Sequence, residues 1–283
     1  MKAYVISVTI SLLLAASCAA KAPTTKPART TTQPATATAP AVDPAVRKIL
    51  DAMETAGKTT KSVRADFTYK TVNLTLGDEE FRTGWVAYQR GQTIKSGGKV
   101  AMTIPPRFRV HFETMRLGRG KTVTMKVDYI FDGKNFIIAR AKNKNIIRMQ
   151  VPPNMQGANM LALGKGPMPI PFGQKAADMI THFVCTTRPK RFNDPKETVY
   201  LNLVPRKAHA KKLNSAYIHM WASTKHHLPI KIVSKDKSKN LITTSFTNMK
   251  INKDVKKSLF RFPKPFGWKL IVQPFKAEQN IKP

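Results

Sequence analysis

Residues 62–70 read Ser62-Val63-Arg64-Ala65-Asp66-Phe67-Thr68-Tyr69-Lys70. Val63, Ala65, Phe67 and Tyr69 are apolar, and Arg64, Asp66, Thr68 and Lys70 stand between them. Successive side chains of a strand point to opposite faces, so this alternation predicts a strand with one buried face. Further strands are expected at residues 81–90, 107–115, 122–131, 135–140 and 145–151. A second group follows at 197–204, 213–223, 228–234 and 241–249. Asp132-Gly133 separates two of these runs and is a hairpin signal, because both turn positions favour residues that tolerate positive φ. Many short strands joined by tight turns predict an antiparallel sheet rather than βαβ units.

Ahead of the first strand the period changes. Asp43 can cap a helix and Pro44 fits its first turn. Val46, Ile49, Leu50 and Met53 follow at helical spacing, and Gly57 is expected to close the helix. Between the two groups of strands lies a different stretch. Residues 152–172 (PPNMQGANMLALGKGPMPIPF) are rich in Met, Pro, Leu and Gly, with Lys165 their only charge. A long apolar irregular segment is expected to pack over something. It is either a loop closing the sheet's core or a lid over a ligand cavity, to which adaptable Met side chains are suited. A short helix is expected at 174–181.

The amino end has a different composition. Lys2 precedes an uncharged apolar run from Val5 to Ala16, too short to span a membrane but the length of a signal-peptide core. It ends in Leu14-Ala15-Ala16-Ser17-Cys18, which resembles a bacterial lipobox with Cys18 as the lipidated residue. The alternative is an ordinary signal peptide cut near Ala19 or Ala20. By resemblance to enterobacterial sorting rules, Ala19 after the Cys points to the outer membrane. Residues 18–42, mostly Thr, Pro and Ala, form an expected flexible tether. The expected domains are therefore a signal peptide at 1–17, the tether at 18–42, a β-rich domain at 43–272 and a basic tail at 273–283. With Cys18 lipidated or removed, Cys185 has no disulfide partner. It sits in an apolar strand-like setting and is expected to be a packed thiol.

The chain carries 49 Lys and Arg against 16 Asp and Glu, a formal net charge of +33, while 42% of its residues are hydrophobic. That apolar share excludes a disordered polycation. Nucleic-acid binding is the first reading of such a charge, but an export signal and the lack of any nucleic-acid motif argue against it. Anionic membrane or envelope surfaces suit the charge better. The six His residues are scattered, without metal-ligand spacing, and adjacent His226 and His227 are expected on opposite sides of a strand. No nucleophile-elbow, metalloprotease, phosphate-loop or dinucleotide pattern occurs. No catalytic residue, metal or cofactor is assigned.

Six short motifs in order over residues 43–270 resemble the LolA/LolB lipoprotein-sorting family. Ser62–Lys70 resembles its first strand and Gly84-Trp85-Val86-Ala87-Tyr88 its second. Pro105-Pro106-Arg107-Phe108-Arg109-Val110 is similar to its Pro-x-x-Phe strand, and Asp132-Gly133-Lys134 to its Asp-Gly-Lys hairpin. Leu201-Asn202-Leu203-Val204-Pro205 and Phe260-x-Phe262 with Pro265-Phe266-Gly267 resemble later elements. The family's functional Arg before the Pro of the third motif falls at Ile104, so that feature is absent here. The resemblance implies a mainly β fold: an incomplete, half-open antiparallel β-barrel covered by short helices and a Met/Pro-rich lid. It also implies a non-enzymatic, monomeric protein that binds acyl chains of lipoproteins or lipids, for their transfer or reception at the outer membrane. The partners would be those acyl chains, an anionic membrane or envelope surface, and a lipoprotein-releasing transporter. Such a protein would face the periplasm of a Gram-negative-type bacterium, lipid-anchored to the outer membrane. Phe67, Tyr69, Trp85, Tyr88 and Phe108 are the candidate lining of the apolar cavity, and Met155, Met160, Leu161, Leu163 and Met168 the candidate lid. The alternative is an envelope interaction module with a filled core, whose basic surface binds anionic polymers or a protein partner without lipid cargo.

Overall fold

The computed structural model describes residues 42–153 and 172–275. The expected signal peptide, most of the tether, Cys18, the five lid candidates (Met155, Met160, Leu161, Leu163 and Met168) and most of the basic tail lie outside the described residues. Helix α1 (Pro44–Thr59) begins as expected, with the Asp43 carboxylate accepting from the Ala45 N–H at 2.7 Å. It buries Val46, Leu50 and Met53. The helix continues two residues past Gly57, so this glycine is not its stop. Its role is close approach: a Cβ there would lie 2.9 Å from the Gly173 Cα.

The strands are β1 (Ser62–Asn73), β2 (Glu79–Gln89), β3 (Gln92–Ser96), β4 (Lys99–Ile104), β5 (Arg107–Leu117), β6 (Val123–Phe131), β7 (Asn135–Arg140) and β8 (Asn145–Gln150). After α2 (Ala176–His182) come β9 (Phe183–Thr186), β10 (Thr198–Pro205), the short α3 (Lys207–Ala210), β11 (Ser215–Ser223), β12 (Pro229–Asp236), β13 (Asn240–Ile251) and β14 (Lys269–Pro274). Twelve of them form one sheet in the order β14-β8-β7-β6-β5-β2-β1-β13-β12-β11-β10-β9, while β3 and β4 make a separate hairpin. The expected fold class holds: the protein is mainly β, with short helices and a sheet that does not close into a barrel. The expectation of a purely antiparallel sheet is corrected. The sheet is mixed, because β14 pairs with β8 in parallel. The chain between β13 and β14 crosses the outer face of the sheet, where Arg109 Nη1 donates to the Leu259 carbonyl at 3.2 Å. It therefore returns to the far edge in the β8 direction.

Three apolar clusters follow. On the inner face, α1 and α2 cover β9–β12, with Leu50 and Met179 against Leu201, Leu203 and Met220. The rest of that face, from β13 across to β8, carries an aromatic cluster. On the outer face Phe262, Trp268 and Leu270 pack on Ile130, Ile137, Ala139 and Ile146. His226 and His227 sit in the turn between β11 and β12 rather than on a strand, His227 at φ +54°.

Candidate functional site

The inner face follows from strand parity. Phe67 stands opposite Gly84, Val63 opposite Tyr88, and Tyr88 opposite Phe108. Phe108 lies opposite Phe131, and Phe131 opposite Phe136. Phe67 also stands opposite Phe246 of β13, so one side of the sheet is aromatic over six adjacent strands. Phe67 and Phe112 meet edge to face at 5.2 Å, and Phe112 meets Tyr69 and Tyr129 at 5.9 Å each. Phe172 reaches Tyr88 at 6.0 Å and Phe246 at 5.6 Å. Such edge-to-face and tilted pairs add attraction beyond simple area burial.

Four of the five candidate lining residues share this face: Phe67, Tyr69, Tyr88 and Phe108. The fifth, Trp85, is on the other face. It pairs with Asp66 and His111, three residues from Tyr88 on the same strand, and an odd separation reverses the face. Phe112, Tyr129, Phe131, Phe136 and Phe246 belong to the face although none was among the candidates. The alternation Phe108, Val110, Phe112 along β5 was the signal that could have found the first of them.

A cation is built into the aromatic surface. The Arg82 guanidinium lies 5.4 Å from the Phe112 ring and 6.0 Å from that of Tyr69, and it pairs with Glu80. Only 7% of Arg82 is exposed. Burial raises the Tyr69 and Tyr129 hydroxyl pKa values, and it pushes Tyr88 up to about 12, so all three stay neutral.

Beside this face a cleft of about 580 Å³ opens where α1 ends. Its walls are Gly57 and Lys58 of α1, Tyr88 and Ile94, Pro106, and Phe172 with Gly173. Glycine at 57 and 173 brings the two backbones together at this point, since a side chain on Gly57 would strike the Gly173 backbone. The cleft thus combines an apolar part, Tyr88, Ile94, Pro106 and Phe172, with polar and charged groups, Glu54, Lys58, Arg90, Gln92, Thr93, Gln174 and Lys175, a mixture suited to a molecule with an apolar part and a polar end. Cys185 is half-buried and its thiol is pushed up to about 11 by burial, as a packed cysteine would be.

Trp85 belongs to a polar column on the outer face. It stacks on His111 at 5.3 Å, with Arg64 and Arg109 over its ring. His111 Nδ1 is 2.8 Å from Asp128 and Nε2 is 2.7 Å from Glu113, and Arg109 Nε donates to Asp128 at 2.7 Å. Burial disfavours the charged imidazole, but hydrogen bonds to Asp128 and Glu113 outweigh it and raise the pKa of His111. Burial likewise works against the Asp128 carboxylate, and hydrogen bonds from His111 and Arg109 outweigh it, so that pKa is lowered. Asp128 therefore stabilises the fold above about pH 3.9 and loses that contribution as pH falls through its lowered value. Protonated His111 stabilises below about pH 6.5 and loses its contribution as pH rises through its raised value. The expected result is a decline in stability on the alkaline side that His111→Gln removes. Urea midpoints measured in mildly acidic and mildly alkaline buffer check it, and an unchanged decline in the variant would assign it to other groups.

The sequence profile of a family described as "Predicted periplasmic protein (DUF2092)" matches residues 46–272. No curated protein matches the chain. Among solved structures the chain is similar to an uncharacterized conserved protein of Thermus thermophilus, at 10% identity and a TM-score of 0.45, covering 81% of this chain and 99% of that one. It is also similar to LprF of Mycobacterium bovis, at 13% identity and a TM-score of 0.42, covering 79% and 99%. A LolA superfamily protein of Nitrosomonas europaea is a further neighbour, at 12% identity and a TM-score of 0.35, covering 77% and 97%.

Proposed function

For a chain that belongs to the DUF2092 family of predicted periplasmic proteins, we propose that the inner face of the half-open barrel binds the acyl chains of lipoproteins or lipids, for their transfer or reception in the cell envelope. The observation that carries this reading is the cleft of about 580 Å³ beside a continuous aromatic face. Acyl chains offer no directional groups, so a site for them has to rely on apolar area and shape. Tyr88 supplies part of both the aromatic face and the cleft. Phe67, Tyr69 and Phe108 extend the apolar surface from it, and Trp85, on the outer face, is no part of this site. The candidate lid residues Met155, Met160, Leu161, Leu163 and Met168 are proposed to cover the bound chain. Cys18 is proposed as the acylated residue that holds the protein at the outer membrane, and a Cys18→Ala variant recovered in the soluble envelope fraction would support this.

Organic extraction of the purified protein, with mass spectrometry, tests the central claim. Acyl lipids in stoichiometric amount are expected, and a protein that neither co-purifies with lipid nor takes up a fluorescent fatty acid would overturn it. Ile94 lines the cleft and is 42% exposed, so its replacement leaves the core intact. Ile94→Glu is expected to weaken fatty-acid uptake at least about fivefold while leaving the thermal midpoint within about 2 °C, since burying a charge against an acyl chain is costly and exposed positions contribute little to stability.

A second reading rests on the packing of the aromatic face itself. Phe108, Phe112, Phe131 and Phe136 are fully buried, their rings filling the space above the sheet. In that reading the barrel is a solid support and its basic surface binds an anionic polymer or a protein partner. Stoichiometric lipid in the extraction would count against it.

A further inference from the structure

We propose that one end of the half-barrel, formed by the tips of successive hairpins, docks onto an anionic lipid bilayer. Strand direction sets which turns share this end: those joining β12 to β13, β1 to β2, β5 to β6, β7 to β8 and, through α3, β10 to β11, together with the turn that enters β14. Backbone hydrogen bonds tie the tips into one rim. Leu74 N–H donates to the Lys239 carbonyl at 3.0 Å, Gly118 N–H to Glu79 at 2.7 Å, and Lys269 N–H to Lys144 at 2.9 Å.

Two properties coincide on this rim. Large apolar side chains project from the tips into water: Leu74 and Leu76 on one, Leu117 and Val123 on the next, and Phe266 ahead of β14, with Leu76 72% exposed and Leu117 59%. Basic side chains stand among them, including the exposed Arg119, Lys121, Lys142, Lys144, Lys237 and Lys239. The acids of the rim are outnumbered. Glu79 pairs with Lys70 at 2.8 Å and Glu80 pairs with Arg82. Asp236, which accepts from Asn240, and the exposed Asp78 remain against the six basic side chains, so the accessible charge is positive.

A soluble polyanion would satisfy the lysines and leave the leucines in water. A bilayer with anionic headgroups satisfies both, because the cations meet the headgroups while Leu76 and Leu117 enter the acyl boundary. A series of separate tips, rather than a groove, also matches a flat interface. This docking does not depend on whether the inner face carries an acyl chain.

The opposite end of the strands offers an internal control. There the loop between β9 and β10 presents a fully exposed Phe192 beside Lys190 and Arg191, and is pinned by Asp194, which accepts from Arg188 at 2.7 Å and from Trp221 Nε1 at 2.8 Å. The full chain carrying Cys18→Ala and Cys185→Ala would be given a single labelling site, Leu76→Cys or Phe192→Cys, and an environment-sensitive fluorophore. Vesicles of phosphatidylcholine with phosphatidylglycerol are expected to blue-shift the reporter at 76 and leave that at 192 as in water. Phosphatidylcholine alone is expected to shift neither. Lys121→Glu with Lys239→Glu, both on exposed turns and expected to leave the thermal midpoint unchanged, should weaken vesicle binding at least about tenfold. A shift at 192 equal to or larger than that at 76, or no shift at either site, overturns the proposal. So does binding to heparin together with a reporter at 76 that stays in water with vesicles, which would assign the rim to polyanions.

Discussion

Phe112→Ala is expected to cost about 3–5 kcal/mol of folding stability, the range found when a buried aromatic ring is truncated. Phe112 is fully buried at the centre of the inner face, between Phe67, Tyr69 and Tyr129. Its removal leaves a void that three rings cannot close without leaving their own neighbours. It also uncovers the Arg82 guanidinium, which sits 5.4 Å from the ring. A buried cation that loses an aromatic neighbour keeps its desolvation cost, so the loss should lie toward the upper part of the range. Equilibrium urea unfolding followed by tryptophan fluorescence checks this, and a loss under about 1 kcal/mol would mean that the inner face relaxes freely. Phe112→Leu, which retains most of the volume, is expected to recover more than half of the lost stability.

A second large effect is expected at Gly84. The position lies where the β2–β5 register shifts by one residue, and a Cβ built there would fall 1.8 Å from the His111 carbonyl oxygen and 3.1 Å from the Phe112 Cα. Both are backbone atoms in the middle of the sheet, and no rotamer change relieves the clash. Gly84→Ala therefore has to displace β5 from β2, and the expected loss is about 3 kcal/mol, at the top of the range for overpacked cores. The displacement would disturb His111 as well, so the alkaline decline in stability should change along with the midpoint. A Gly84→Ala protein with an unaltered urea midpoint and pH profile would contradict the close approach. Gly77, in the β1–β2 turn at φ +75° with open space around it, is the useful comparison. Its replacement by Ala strains only the local backbone and should cost about 1 kcal/mol.

Gly84 also shows where local reading stops. In the sequence it belongs to the stretch Gly84-Trp85-Val86-Ala87-Tyr88, where it reads simply as part of a strand. The need for a missing side chain comes from a carbonyl 27 positions away, and nothing in the local pattern encodes it. The β3–β4 hairpin was legible in principle, since Gly97 and Gly98 both adopt positive φ in its turn, at 57° and 78°. Its residues lack the clean apolar alternation of β1, so periodicity does not mark the strands beside that turn. The face of Trp85 is legible in the chain, because parity counted from Tyr88 puts it on the outer face and not in the expected lining. The β14–β8 pair was not legible. A parallel edge strand depends on the route of the connection before it, and that route is set by the apolar patch of Ile130, Ile137, Ala139 and Ile146 on the outer face.

By itself the sequence determined the fold class, the start of α1, most of the strands of the main sheet and the turn at Asp132-Gly133. Each of these rests on forces acting within a few residues: side-chain alternation, capping, and the backbone freedom of turn residues. The tertiary structure alone decided which aromatics of different strands meet, once strands from both halves are paired. It also put Arg82 against Phe112, and brought Gly57 against Gly173 at the edge of the cleft. Those outcomes depend on register between distant strands and on volume shared among residues far apart in the chain, which composition and periodicity do not carry.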